Sequence, residues 1–273
     1  RSGYMLQPQQ AENVRKVPIL KAIFLPWGPA FISFLIILAF GYEVAICLIM
    51  AGPIFLLMSS IGGLTALVFL GKSGGNTYKN VLAGLIFLPM VGSGMESQLP
   101  QPQSFYEVHD QILIDADVNT VWSHIERVTS ILPEEQTHSY LHDLGFPRPL
   151  EATLSHEGVG GVRHARFENN ILFVETITEW DKPRQLSFEI VPELEDAQSP
   201  VVNAQILGGK YFDVLQGTYT LEPQGTKTLL HLQSQQRVST FYNAYSSLWT
   251  RWIMSELQSY ILRVIQQRCE QTT

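Results

Sequence analysis

The spacing of apolar and polar residues divides the chain into two parts of different character. Near the N-terminus, two long stretches contain no charged residue: residues 22–42, with 21 positions, and residues 44–71, with 28. A helix needs about 20 mainly apolar residues to cross a bilayer, and neither stretch keeps the polar face of a helix in a soluble protein. The pattern therefore predicts two membrane-spanning helices.

A third uncharged stretch, residues 80–95, is shorter and is interrupted by Gly and Pro. We interpret it as a third span, which gives a transmembrane region of about three helices over residues 22–95. Glu43 separates the first two stretches, and two interpretations are open. The chain either turns at Glu43, or continues as a helix through Glu43 and breaks at Gly52-Pro53. We favour the turn, because an unpaired carboxylate at bilayer depth costs several kcal/mol.

Basic residues give an orientation to these spans. The Lys and Arg residues of this half lie in the N-terminal segment, residues 1–21, and in the loop over residues 71–80. The positive-inside rule places both on the cytoplasmic side. Three spans then put the C-terminal domain outside the cytoplasm, which is our expectation, whereas two spans would keep it inside. The first span is too long for the apolar region of a cleaved signal peptide, so we interpret it as an anchor.

Beyond a short Pro- and Gln-rich linker, residues 96–105, the pattern is that of a water-soluble domain over residues 106–273. Apolar and polar residues alternate in six segments, as in strands that bury one face. The segments are YEVHDQILIDAD, GVRHARF, ILFVETITEW, RQLSFEIVP, YFDVLQGTYTLEP and KTLLHLQSQQRV. Asp117 is placed to cap a short helix. Aromatic and aliphatic residues at three- and four-residue steps predict a long amphipathic helix from Phe241 to about Glu270. We expect an α+β fold in which a curved antiparallel sheet grips this helix.

The pair Asn169-Asn170 predicts a tight hairpin, because Asn tolerates positive φ. If these two residues form the turn, Glu168 pairs with Ile171, and His164 then lies opposite Glu175. A carboxylate raises the pKa of a neighbouring His, so the two residues could form a proton-transfer pair. The competing interpretation is a cross-strand ion pair on the solvated face of the sheet.

Several motifs, taken in order, resemble one family. They are GFPRP, EGVGGVR, the run FVETITEWDKPRQLSF from Phe173 to Phe188, GTYTLEP from Gly217 to Pro223, and the aromatic C-terminal helix. Together they resemble the START-like, helix-grip (SRPBCC) superfamily, in its polyketide cyclase/dehydrase and lipid-transport branch. The resemblance implies an apolar cavity between sheet and long helix, used in the superfamily for sterols, lipids, polyketides or plant hormones. It does not imply one reaction.

The stretch YEVAICLIMAGPIFLL also resembles the membrane anchor of bacterial members of this superfamily. It implies an integral protein of the bacterial inner membrane, with the lipid bilayer as its first partner. The membrane helices also offer a surface for oligomerisation.

Seven residues are candidates for ligand contacts. Tyr219 and His231 lie on the last two strands, which we expect to face the long helix, and would offer a hydroxyl and an imidazole to a ligand head group. The competing interpretation is that both are satisfied core or surface residues. Trp249 and Trp252 are expected in the core, which in this fold also lines the cavity. The full candidate set is Arg163, His164, Glu175, Tyr219, His231, Trp249 and Trp252.

Composition excludes several classes of function. Residues 1–105 hold six Lys or Arg against three acidic residues, a net charge of +3, whereas the remainder holds 12 basic and 22 acidic residues, a net charge of −10. A domain with that charge is repelled by phosphate backbones, so we expect no nucleic-acid partner. The seven His and two Cys show no zinc-binding spacing, and we expect neither a metal nor a cofactor.

Two classes of function remain after these exclusions. We favour a membrane-tethered carrier or sensor that takes an apolar small molecule, with lipid as the first expectation, from the adjacent bilayer. The alternative is a cyclase- or dehydratase-type enzyme in which Glu175, His164 or Tyr219 acts as acid or base on a polyketide-like substrate. A structural membrane subunit is a third, weaker interpretation.

Overall fold

The structure is a computed structural model that describes residues 19–40, 45–70, 100–197, 199, 201–202 and 207–271. The chain divides into two compact units, Arg1–Pro100 and Gln101–Thr273. Glu43, the basic loop over residues 71–80 and the predicted third span over residues 80–95 lie outside the described residues.

The described residues of the first unit form three helices: α1, Ile19–Phe24; α2, Trp27–Ala39; and α3, Ala45–Leu70. Two stretches, Ile19–Ala39 with a mean hydropathy of 2.1 and Leu48–Leu67 with 1.8, are long and apolar enough to cross a membrane. Helix α3 runs through Pro53 without interruption, so the alternative of a break at Gly52-Pro53 is wrong.

The helices of this first unit pack closely against one another. The Trp27 indole nitrogen donates a hydrogen bond to the Ser60 hydroxyl at 2.9 Å. A Cβ at position 63 would overlap the Ala22 carbonyl oxygen, so Gly63 permits the close approach of α1 and α3. Small residues serve this purpose in membrane helix pairs.

The described residues of the second unit form a single seven-stranded antiparallel sheet with one long helix. Its strands are β1, Gln103–Ile114; β2, Pro149–Leu154; β3, Val162–Phe167; β4, Ile171–Asp181; β5, Gln185–Glu193; β6, Phe212–Gln224; and β7, Lys227–Ser239. They are ordered β1-β7-β6-β5-β4-β3-β2 across the sheet. The helices are α4, Val118–Glu126; α5, Tyr140–Asp143; and α6, Asn243–Gln271.

The six predicted strand segments are all present, and two details differ. Strand β2 was not predicted, and β1 begins at Gln103 rather than near Tyr106, because Gln103 already pairs with Ser239 of β7. The predicted cap of α4 is confirmed: the Asp117 side chain accepts hydrogen bonds from the backbone nitrogens of Asn119 and Thr120.

One face of the sheet, here called the inner face, packs against α4 and the second half of α6. Buried side chains of this core are Ile114, Val121, Trp122, Ile125, Ile177, Leu186, Phe188, Leu221, Leu230, Leu232, Leu262 and Ile265. The opposite face is the outer face. A curved antiparallel sheet that holds a long C-terminal helix is the predicted α+β helix-grip arrangement, which is therefore confirmed.

Polar groups fix α6 to the sheet at its middle. The Gln258 amide, oriented so that its oxygen accepts from the Ser234 hydroxyl at 2.6 Å, donates to Asp110 Oδ2 at 2.8 Å. Ser255 also donates to Asp110, at 2.8 Å. These bonds join the helix to the two adjacent strands β1 and β7.

A second polar anchor holds the C-terminal end of α6. The buried Arg268 guanidinium donates to both carboxylate oxygens of Glu135, at 2.7 and 2.8 Å, and also to the Thr129 and Ser130 carbonyl oxygens. A bidentate Arg–carboxylate pair is among the stronger polar contacts in proteins.

Candidate ligand-binding site

The β3–β4 hairpin sets the site, and its register differs by one residue from the predicted one. Phe167 rather than Glu168 pairs with Ile171, so the loop has three residues, and both Asn169 and Asn170 have positive φ, at 61° and 58°. Arg163 therefore lies opposite Glu175, and His164 lies opposite Val174. The predicted His164–Glu175 pair is wrong.

Arg163 and Glu175 form a buried ion pair on the inner face of the sheet. The Arg163 Nη1 donates to Glu175 Oε2, and the two residues are only 4% and 7% exposed. Burial raises the pKa of Glu175, and the facing guanidinium opposes that rise. Burial by itself would lower the pKa of Arg163, but Glu175 and Tyr219 together raise it above its usual value. The Arg163 charge is thus already balanced inside the protein.

Tyr219 of β6 shares this interior with the ion pair. It is 3% exposed, and burial raises its pKa to about 12, with Arg163 acting in the opposite direction. Its hydroxyl therefore keeps its proton at neutral pH and can donate a hydrogen bond. The Arg163 guanidinium also lies over the Phe188 ring, 5.6 Å from its centre.

Gly217 makes room for that ring. Gly217 pairs with Phe188 across β5 and β6, and a Cβ at position 217 would lie 2.6 Å from Phe188 Cε2. The absence of a side chain there lets Phe188 lie flat over the strand, within reach of Arg163.

Gln236 of β7 is an inner-face residue that the sequence analysis missed. It is fully buried, and neither its side-chain oxygen nor its nitrogen has a partner among the described residues. The sequence could have identified Gln236. Leu230 and Leu232 mark the buried face of the strand, and every second residue after them, Ser234 and Gln236, lies on the same face.

The Nε atom of Arg163 is likewise buried and without a partner among the described residues. A buried polar group without a hydrogen bond costs about 1–3 kcal/mol. Two apolar residues lie between Glu175 and Gln236 on this face: Ile190 of β5, which pairs with Glu175, and Val214 of β6, which pairs with Gln236. The inner face thus presents polar atoms on both sides of an apolar strip.

His164 and His231 are separated from this group. Both lie on the outer face, because strand residues alternate between faces and their neighbours Arg163 and Leu232 point inward. The His231 ring stacks on His109 of β1, with Nδ1 3.0 Å from His109 Nε2. The expectation that His231 faces the long helix together with Tyr219 is wrong.

Trp249 and Trp252 are not core residues either. They lie on the first half of α6, where Trp249 is half-buried and Trp252 is 41% exposed. The predicted apolar stripe along the helix is real, but its fully buried apolar residues, Tyr260, Leu262, Val264 and Ile265, all follow Gln258. Before Gln258, Met254 is only partly buried against the core.

Metal-binding and thiol chemistry are also relevant to the second unit. Among the residues that the structure describes, no cluster of three or more His, Cys, Asp or Glu side chains could hold a metal ion. Burial raises the pKa of the Cys269 thiol to about 12, so it stays protonated. A surface cleft near the end of α6 is lined by His124, Thr129, Ser130, Leu132, Glu135, Arg268 and Gln271.

Comparison with known proteins finds similarity to solved structures only. No protein-family profile and no curated protein matches the sequence. Solved structures do match. A START superfamily protein from Mycobacterium smegmatis is 12% identical with a TM-score of 0.40, over 61% of this chain and 99% of that one. XoxI from Bacillus cereus is 15% identical with a TM-score of 0.38, over 61% and 96%.

A third match is norcoclaurine synthase from Thalictrum flavum, solved with dopamine and hydroxybenzaldehyde; it is 14% identical with a TM-score of 0.39, over 63% of this chain and 90% of that one. Similarities this low carry no functional argument. Residues 101–271 have the START-like helix-grip architecture by their own order of strands and helices.

Proposed function

We propose that the second unit binds a hydrophobic small molecule between the inner face of the sheet and helix α6. The observation that carries the proposal is a set of buried polar atoms on that face without a partner among the described residues: Arg163 Nε, within the Arg163–Glu175 pair, and the Gln236 amide, on the other side of the apolar strip. A ligand that satisfied these atoms would remove their desolvation cost, and ligand pockets in general set a few polar groups in a mainly apolar lining.

The charges of the site narrow the chemistry of the ligand. Glu175 already balances Arg163, so an anionic group near Arg163 would be repelled by the Glu175 carboxylate. A neutral oxygen, such as a hydroxyl, ketone or ester, accepts from Arg163 Nε without that repulsion. From β4 to β7 there are three strand spacings, about 14 Å. An elongated apolar molecule with a neutral oxygen at one or both ends therefore fits best.

Lipids and sterols belong to this ligand class, and the two apolar stretches Ile19–Ala39 and Leu48–Leu67 support a membrane origin for the ligand. We accordingly propose a membrane-tethered lipid carrier or sensor, with the second unit on the non-cytoplasmic side. Protease added to sealed right-side-out membrane vesicles should degrade the second unit; complete protection would contradict this sidedness.

Mass spectrometry of the ligand bound to the full chain tests the binding proposal. We expect about one apolar molecule per chain purified in mild detergent. Arg163→Met and Gln236→Leu should each reduce that occupancy several-fold. The matched control is Arg166→Gln on the same strand, where the Arg166 side chain is exposed and points away from the inner face. An empty wild-type chain, or equal occupancy in all four proteins, would contradict the proposal.

An enzymatic role is a second candidate, and one observation favours it. Glu175 is a buried carboxyl with a raised pKa beside the protonated hydroxyl of Tyr219, as in sites where a carboxyl transfers a proton. His164, on the outer face, does not take part. In a cyclase or dehydratase mechanism, Glu175→Gln should abolish turnover of the bound ligand while leaving its binding intact; unchanged turnover would remove Glu175 from the mechanism.

A further inference from the structure

The first half of α6 carries an apolar surface that the ligand site does not use. Leu248 and Trp252, four residues apart on the helix, are 64% and 41% exposed, and Phe241 and Tyr242, in the turn just before α6, are 37% and 66% exposed. Trp249 lies between two other aromatic rings, with its ring centre 6.3 Å from those of Tyr245 and Trp252. We call the exposed residues Phe241, Tyr242, Leu248 and Trp252 the aromatic face.

The chain enters the second unit beside this face. The Asn243 side chain, at the start of α6, donates to the Pro102 carbonyl oxygen at 2.8 Å and to the Ser104 hydroxyl at 2.9 Å. Tyr106 of β1 is held there as well, because the Arg251 guanidinium lies over its ring at 4.9 Å. The segment that connects the second unit to the apolar helices therefore leaves from the same end as the aromatic face.

We propose that the aromatic face docks on the interfacial layer of a lipid bilayer. Trp and Tyr are the residues that favour this layer, since their rings are apolar and their tips are polar. The upstream residues include two stretches long and apolar enough to span a membrane, and the connection from them ends at Pro102. A lipid bilayer is therefore the partner that we expect at the aromatic face.

The charge of the domain determines how it docks. Residues 106–273 carry a net charge of −10, so an anionic surface repels the domain as a whole. Docking must then rest on insertion of apolar side chains, as for amphipathic helices that lie at the membrane surface. We expect docking on zwitterionic phosphatidylcholine, undiminished by high salt, and weakened when anionic lipid is added.

Quenching by brominated phosphatidylcholine tests the proposal on the full chain reconstituted in vesicles. A Trp27→Phe background removes the tryptophan of the apolar helices and leaves four others. We expect brominated lipid to quench about half of the remaining emission, that of Trp249 and Trp252. This quenching should disappear in the Trp27→Phe, Trp249→Phe, Trp252→Phe variant, which keeps only Trp122 and Trp180. Trp122 is fully buried in the core, and the half-buried Trp180 packs edge-on against it, with ring centres 5.2 Å apart.

Two further comparisons make the outcome decisive. Tyr242→Ser with Leu248→Ser should reduce the quenching of Trp252, whereas Val159→Ser, an exposed control in the β2–β3 loop at the other end of the sheet, should not. Quenching of Trp27 alone would show that the chain is in the bilayer but that the face does not dock, which overturns the proposal. Trp252 emission that depends on protein concentration and not on brominated lipid would assign the face to a second copy, and would also overturn it.

Discussion

At the scale of residues, the site depends on which polar groups are buried and whether they are paired. Arg163 and Glu175 compensate each other inside the protein, and Tyr219 keeps its proton because burial raises its pKa to about 12. A pair of this kind contributes little to stability as a whole, yet removing one partner leaves the other as an uncompensated buried charge.

Arg163→Met should therefore destabilise the second unit by about 3–5 kcal/mol, because it leaves the Glu175 carboxyl without its partner. The double variant Arg163→Met, Glu175→Leu should regain most of this loss, since both polar groups are then replaced. Denaturation of the full chain in detergent, followed by tryptophan fluorescence, gives the free energies. A single variant as stable as Arg166→Gln would show that the pair is not buried in solution.

The Glu135–Arg268 anchor should give a pH-dependent contribution to stability. The Arg268 hydrogen bond lowers the pKa of Glu135 below its ordinary value of 4.5, against the opposing effect of burial. The contribution is therefore complete above pH 4.5 and is lost as pH falls through the folded-state pKa. Glu135→Gln should cost about 1.5–3 kcal/mol near neutral pH.

The difference between wild type and Glu135→Gln should shrink steadily below pH 4.5. The matched control is Glu134→Gln, whose side chain is exposed next to it. A Glu135→Gln penalty that stays constant down to the acid transition would contradict the assignment of this carboxylate as the titrating group.

At the scale of elements, the alternation of apolar and polar residues and the helix cap predicted most of the fold. They did not predict the length of the β3–β4 loop. The alternation of apolar and polar residues located six strands, because a strand that buries one face repeats every two residues. Asp117 located the start of α4, because the first amides of a helix need a hydrogen-bond acceptor nearby in the sequence. The β3–β4 register was wrong by one residue because Asn-Asn suits both a two-residue turn and a three-residue loop.

Because of this one-residue error, the sequence analysis placed His164 opposite Glu175, whereas the structure has Arg163 there. A register error of one residue moves every side chain to the other face of the strand. The tryptophans of α6 show a second limit: helical spacing identifies a stripe, but it does not tell whether another element covers it, and Trp252 remains 41% exposed.

The β3–β4 loop should respond to substitutions according to its backbone. Asn170 has a φ of 58°, a conformation that costs a β-branched residue about 1–2 kcal/mol. Asn170→Val should therefore lower the free energy of unfolding by roughly that amount, and Asn170→Gly should change it by only a few tenths. Equal effects of Val and Gly would show that position 170 does not hold positive φ in solution.

At the scale of the whole molecule, the chain combines apolar helices with an acidic domain for which we propose ligand binding. Among its described residues, the first unit has two stretches apolar enough to cross a membrane, and residues 106–273 carry a net charge of −10. The proposed lipid ligand and the proposed docking of the aromatic face rest on separate residues, the inner face of the sheet for one and the first half of α6 for the other. Either can therefore fail without the other.

The most direct test of the central claim is an experimental structure of the full chain purified with its bound molecule. The account predicts an elongated apolar ligand between the sheet and α6, with a neutral oxygen within hydrogen-bond distance of Arg163 Nε or of the Gln236 amide. A ligand bound on the outer face, or an interior closed by side chains with both polar groups bonded to protein atoms, would contradict it.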